Sequence, residues 1–153
     1  MRRGLVPVAC AIIAFSAVDA RQPHSTFRFH VEANARDTEA FATQFKSPFT
    51  GRPMVIEKMA TLSEQDVVAF APYPAKDGSF GVLLQLDDHG RIALDTLSVE
   101  HRGQSAFVFM NGRPVTELQI DRRISDGKIY IPTGLTRRDI ELMRRNWKLI
   151  GKR

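Results

Sequence analysis

An α+β fold, with a mixed or antiparallel sheet packed against about three helices, is predicted by three observations. Residues 26–32 alternate apolar and polar side chains at the period of a half-buried strand. Asn111-Gly112 stands between two apolar runs, the residue pair that a two-residue hairpin turn prefers because both central positions need positive φ. Helix-period segments follow acidic or hydroxyl caps at Asp87-Asp88 and at Thr136, without the regular strand–helix–strand rhythm of a parallel sheet.

The elements follow in order. Phe27, Phe29 and Val31 are expected to face the core from the first strand. Asn34 precedes Asp37, and Ala40, Phe41 and Phe45 recur at helical spacing, so a helix capped by Asn34 is expected to run to about Lys46, stopped by Ser47-Pro48. Strands are expected over 53–60 and 67–71, with a turn or a single helical turn at 62–65 and a loop marked by Pro72, Pro74 and Gly78. Residues 80–86 read as a strand, and Asp87-Asp88 caps a helix carrying Ile92, Leu94, Leu97 and Val99 that ends by Gly103.

Strands at 106–110 and 115–120 flank the Asn111-Gly112 turn, and Ser125-Asp126-Gly127 turns the chain into a strand over 128–131. Gly134 then precedes Thr136, which has Asp139 three residues on, the pattern of a capping box. Ile140, Met143 and Trp147 line one side of the helix that this box opens.

The amino-terminal residues read as an export signal. Arg2 and Arg3 supply the positive start, residues 5–17 the apolar stretch, and Val18-Asp19-Ala20 a small-residue cleavage site, so residues 1–20 are expected to be removed and 21–153 to form one domain. The apolar stretch is shorter than the roughly 20 residues of a spanning helix, although an uncleaved anchor stays open as an alternative. The single cysteine, Cys10, lies inside the signal, after a poor lipobox. The mature chain then has no disulfide and no thiolate nucleophile. A formal net charge of +5 over 153 residues is mildly basic and does not match the concentrated positive charge of a nucleic-acid binder.

Gly90 after Asp87-Asp88, Gly103 after the helix, Gly112 in the hairpin and Gly134-Leu135-Thr136 at the last cap form an ordered series. This series resembles the P1 head region of the SecD and SecDF protein-export subunits, a ferredoxin-like-related fold. Residues 62–67 are similar to the segment that precedes the motif in that family, so the likeness covers 62–143. It implies a standalone exported relative of the extracytoplasmic head, periplasmic or secreted, with protein or peptide partners such as unfolded export substrates or Sec components. Gly90, Gly103, Asn111, Gly112, Gly134 and Thr136 are read as turn and cap devices.

Chemistry-bearing patterns are sparse. His24, His30, His89 and His101 lack metal-ligand spacing, no phosphate-binding glycine loop is present, and Ser79 lacks the context of a hydrolase nucleophile. Asp87, Asp88 and His89 form the densest polar cluster, for which helix capping is a sufficient role. No cofactor or metal is expected.

The candidate interaction residues are Arg113 at the hairpin tip and Arg137, Arg138, Arg144, Arg145 and Trp147 around the last helix. Each carries a bland alternative: a plain tight turn, and arginines that merely solvate a packed helix. The leading expectation is a non-catalytic exported interaction domain that takes peptide segments, possible on an exposed sheet edge. Peripheral contact of the basic helix with anionic lipid is a second reading. An enzyme, which predicts a closed polar pocket around Asp87, Asp88 and His89, is a third.

Overall fold

The computed structural model describes residues 23–34, 36 and 39–151. The expected signal at 1–20, Cys10 included, lies outside them. The elements are β1 (Phe27–Val31), β2 (Ala42–Lys46), β3 (Pro53–Glu57), β4 (Leu62–Ser63), a 3₁₀ turn (Glu64–Asp66), β5 (Val67–Pro74), β6 (Phe80–Leu86), α1 (Asp88–Glu100), β7 (Ser105–Met110), β8 (Arg113–Gln119), β9 (Lys128–Leu135), α2 (Arg137–Asn146) and β10 (Lys148–Leu149).

They form two four-stranded sheets and a separate hairpin. One sheet has the order β4-β1-β7-β8, the other β10-β5-β6-β9, and β2 pairs with β3. All pairings are antiparallel except β10 with β5. The fold is therefore α+β, with two α-helices among the described residues where about three were expected.

The missing helix is the one placed after Asn34. Asn34 does accept a hydrogen bond from the Arg36 N–H (3.2 Å), but residues 42–46 are a strand. Phe45 stands opposite Met54 in the β2–β3 register and packs edge-on against Phe107 and Phe109, while Phe41 is 74% exposed. A spacing of four residues suited a helix face, but the partner strand and an aromatic patch distant in sequence decided the conformation.

Alternation along β7 links two apolar layers. Ala106, Val108 and Met110 face the main core, whereas Phe107 on the opposite face meets Met54 and Ile56 of the hairpin, with Phe45 and Phe109 alongside. The main core lies between the two sheets. It takes Phe27, Phe29 and Val31 from β1, Val82, Leu84 and Leu86 from β6, Leu94 and Leu97 from α1, and Ile140 and Met143 from α2. Ile92 and Val99, apolar residues that α1 also carries, are each 57% exposed, so the buried stripe is narrower than its apolar content suggested.

Local signals held where they were chemical. Asn111 and Gly112 adopt φ values of 51° and 80°, as the hairpin turn requires. Asp87 caps α1, accepting from the Gly90 N–H at 2.7 Å. Thr136 and Asp139 make a reciprocal capping box on α2, and Trp147 closes that helix as its carboxyl-terminal cap, its ring 6.4 Å from that of Phe70. Gly90 has a further reason to be glycine: a Cβ there would lie 2.8 Å from Cβ of Asp66.

The outer face of the second sheet is built differently. Tyr73 lies over Gly81, where a Cβ would come within 2.3 Å of the ring, and its hydroxyl donates to the Ile131 carbonyl at 2.7 Å. Tyr73 also stacks on Tyr130, with 5.4 Å between centroids and 7° between planes. Burial first, and the neighbouring Tyr130 second, push the Tyr73 phenol well above its ordinary pKa. Tyr130 itself remains 56% exposed.

Candidate interaction site

Beside that face runs a groove of about 600 Å³, open to solvent. Leu118 and Ile124 contribute apolar wall over the buried Phe29 and Leu94, and Leu83 and Tyr130 bring the second sheet to it. Its far bank is the irregular segment 120–127, held at both ends and in the middle. The Gly103 N–H donates to the Ile120 carbonyl at 2.7 Å, the Ile124 N–H to Ser98 Oγ at 2.8 Å, and the Leu86 N–H to the Gly127 carbonyl at 2.8 Å. Arg123 adds a forked ion pair to Asp95 of α1 at 2.5 and 2.7 Å, which holds the Asp95 carboxyl below its usual range. The groove is thus preformed, with Arg122 and Lys128 near its rim.

Strand β9 borders the groove and is an edge strand, paired among the described residues with β6 alone. The bond from Leu86 to Gly127 sets the parity of the ladder: Ile129 and Ile131, opposite Leu84 and Val82, turn their amides toward β6. Lys128, Tyr130 and Pro132 turn theirs outward. Pro132 has no N–H to offer, so the open part of the edge is the stretch around Tyr130, and a proline at an outward position is where edge strands tolerate one.

The candidate residues divide between two other places. Arg113 is engaged inside the molecule: its guanidinium pairs with the Asp139 carboxylate and donates to the Gly134 carbonyl at 3.0 Å. Asn111 Nδ2 donates to Asp139 as well, at 2.7 Å, while its Oδ1 accepts from the Thr26 N–H at 3.0 Å. The hairpin tip is thereby pinned to the start of α2. Burial works to raise the Asp139 pKa, but the hydrogen bonds of Thr136 and Asn111 and the charge of Arg113 outweigh it and hold the carboxyl below its usual value. Gly134 approaches β8 closely, with a Cβ there lying 3.1 Å from the Val115 carbonyl oxygen.

Arg137, Arg138, Arg144 and Arg145 are exposed on α2, whereas Trp147 is buried and serves packing. The helix ends before Lys148, which belongs to β10, so the basic segment is not one continuous amphipathic helix.

Asp66, which the sequence did not single out, joins Asp87 and His89 to place three potential ligand atoms within 4.8 Å of one another. Local bonds already occupy them: Asp66 accepts from the Ser63 N–H at 2.7 Å and faces His89 Nδ1 at 2.8 Å, and Asp87 caps α1. The hydrogen bond and charge of Asp66 raise the His89 pKa. Asp66 is buried, whereas the side chains of His89 and the neighbouring Asp88 are 80% and 97% exposed, so the Asp87–His89 stretch is open to solvent.

The molecule thus belongs to the class of α+β domains that present an open sheet face and a free edge. No protein-family model and no curated protein matches the sequence. The structure is similar to a solved structure of SecDF, described as a membrane component that enhances protein export, with a TM-score of 0.56 and 15% identity, over 82% of this chain and 64% of that one. A second SecDF structure, in a super-membrane-facing form, matches with a TM-score of 0.55 and 15% identity over 81% of this chain and 19% of that one. The chain spans less than two thirds of either SecDF chain. The SecD-like head fold implied by the glycine series is therefore present, and at this identity the likeness is one of fold. No described helix is long and apolar enough to cross a membrane.

Proposed function

We propose that this domain is a binding module that receives an extended polypeptide segment along the free edge of β9, as an accessory in protein export or envelope assembly outside the cytoplasm. The observation that carries it is the juxtaposition of the open apolar groove with the outward-turned amides around Tyr130. An added strand would bond the backbone at Tyr130 and place alternate side chains over Leu118 and Ile124, a combination that gives affinity with little demand on peptide sequence. Unfolded chains present that chemistry. The SecDF-like fold supports the setting, and the groove supports the ligand class.

Titration of the protein with a fluorescently labelled, unfolded apolar peptide tests this. Tyr130→Pro removes an outward N–H while the inward bonds of Ile129 and Ile131 to β6 remain, so binding should weaken about tenfold, on the order of one hydrogen bond, with the thermal midpoint little changed. Absence of peptide binding by the unaltered protein, or equal binding by the variant, would overturn the reading.

A further inference from the structure

We infer that the outward face of α2 is a docking surface for anionic membrane lipid, separate from the β9 groove and independent of it. Counting about 100° per residue, Arg137, Arg138, Arg144 and Arg145 fall within an arc of roughly 120°. Met143, buried in the main core, points to the other side of the helix, and Ile140, also buried, lies just outside the arc, about 40° beyond Arg144. One acidic residue, Glu141, shares the arc.

Two features separate these arginines from ordinary surface charge. Arg28, Arg52, Arg91, Arg113 and Arg123 have carboxylate partners, whereas the four arginines of α2, like Arg102 and Arg122, have none among the described residues, and the four are gathered on one side of one helix. Their positions also run against helix stability at one end. Arg144 and Arg145 in the last turn complement the negative end of the helix dipole, but Arg137 and Arg138 occupy the first turn, at its positive end, where cations are unfavourable. Helix stability accounts for the second pair and is opposed by the first. An external anionic surface accounts for both.

The placement of the amino-terminal chain favours a membrane as that surface. The Ser25 N–H donates to Asn146 Oδ1 at 2.8 Å, and His24 Nδ1 lies 3.0 Å from Asn146 Nδ2, so the chain enters the domain at the last residue of α2, next to Arg144 and Arg145. Before cleavage, or in the uncleaved anchor, the apolar stretch 5–17 precedes His24 by a span that can reach on the order of 25 Å at most. While that stretch is in a bilayer, the basic end of α2 is held near lipid headgroups. Beyond the helix, Lys148 adds a further exposed cation, and Ile150, 39% exposed, is fixed beside it by its N–H bond to the Phe70 carbonyl at 2.9 Å. With Trp147 and the apolar side of α2 committed to the core, binding is electrostatic, without deep insertion.

The test compares partitioning of the full chain into phosphatidylglycerol-containing vesicles and into neutral phosphatidylcholine vesicles, so that contributions of the apolar stretch cancel. Each cation is worth about fivefold near an anionic surface, and the variant Arg137→Gln/Arg138→Gln/Arg144→Gln/Arg145→Gln should lose about a hundredfold or more of the anionic preference. A control variant with Lys46, Lys58, Lys76 and Arg102, exposed cations outside α2 and outside the groove, changed to Gln should keep it. The preference should also collapse as salt rises, and the thermal midpoint of the arginine variant should stay near that of the parent, which shows that the helix still folds. Equal losses in the two variants, a salt-insensitive preference, or binding of an acidic peptide without any preference for anionic vesicles would overturn the proposal. None of these outcomes bears on peptide capture at Tyr130.

Discussion

The two sheets share one core but differ in what lies on their other faces. The β4-β1-β7-β8 sheet is covered on both sides, by the main core beneath and by the β2–β3 hairpin on the outer face of β7, where Phe107 is wholly buried. The β10-β5-β6-β9 sheet buries Val82, Leu84, Ile129 and Ile131 on one side and leaves Tyr73, Leu83 and Tyr130 partly or largely open on the other. Burial on two faces is what stability rewards. An apolar face left open beside an unpaired edge has no such reward, and it is therefore where the molecule is expected to meet something else.

The comparison breaks most visibly at Phe107. Phe107→Ala empties the layer under the hairpin and should cost about 3–5 kcal/mol in chemical denaturation, while Tyr130→Pro on the open sheet should cost far less. Comparable losses would mean that the open face is as much a part of the fold as the covered one.

A smaller effect tests the joint between the sheets, where Asp139 at the start of α2 holds Asn111 and Arg113 from the hairpin of the first sheet. Its folded pKa is depressed, so its contribution is complete above the unfolded value of about 3.9 and is lost as pH falls through the folded value. Asp139→Asn should cost about 1–3 kcal/mol at neutral pH. It should also flatten the fall in thermal midpoint between about pH 4 and the acid limit. A variant with the parent's full acid sensitivity would place that dependence elsewhere.

What the sequence made legible follows the same division between local and distant causes. Asn111-Gly112, the Asp87 cap and the Thr136–Asp139 box are decided within four residues by turn and capping chemistry, and each is found as read. Strand β2 was not legible, because Phe45 is ordered by Met54, Phe107 and Phe109 and not by its neighbours in the chain. The groove was hidden for the same reason: Phe29, Leu94, Leu118 and Tyr130 come from four separate elements, and only the pairing of β6 with β9 brings the last of them there. Arg113 was legible as a charge at a hairpin tip, but its burial of purpose in Asp139 depends on a residue 26 positions away. The four α2 arginines were legible as a cluster that solvates one side of a packed helix; that none of them has a carboxylate partner among the described residues was not.

Amide hydrogen exchange at Tyr130, with and without a saturating unfolded peptide, tests the central claim most directly. The outward N–H should exchange rapidly in the free protein and slow on binding, while the already paired amides of Ile129 and Ile131 change little. An unchanged Tyr130 amide in a complex that forms elsewhere would contradict the account.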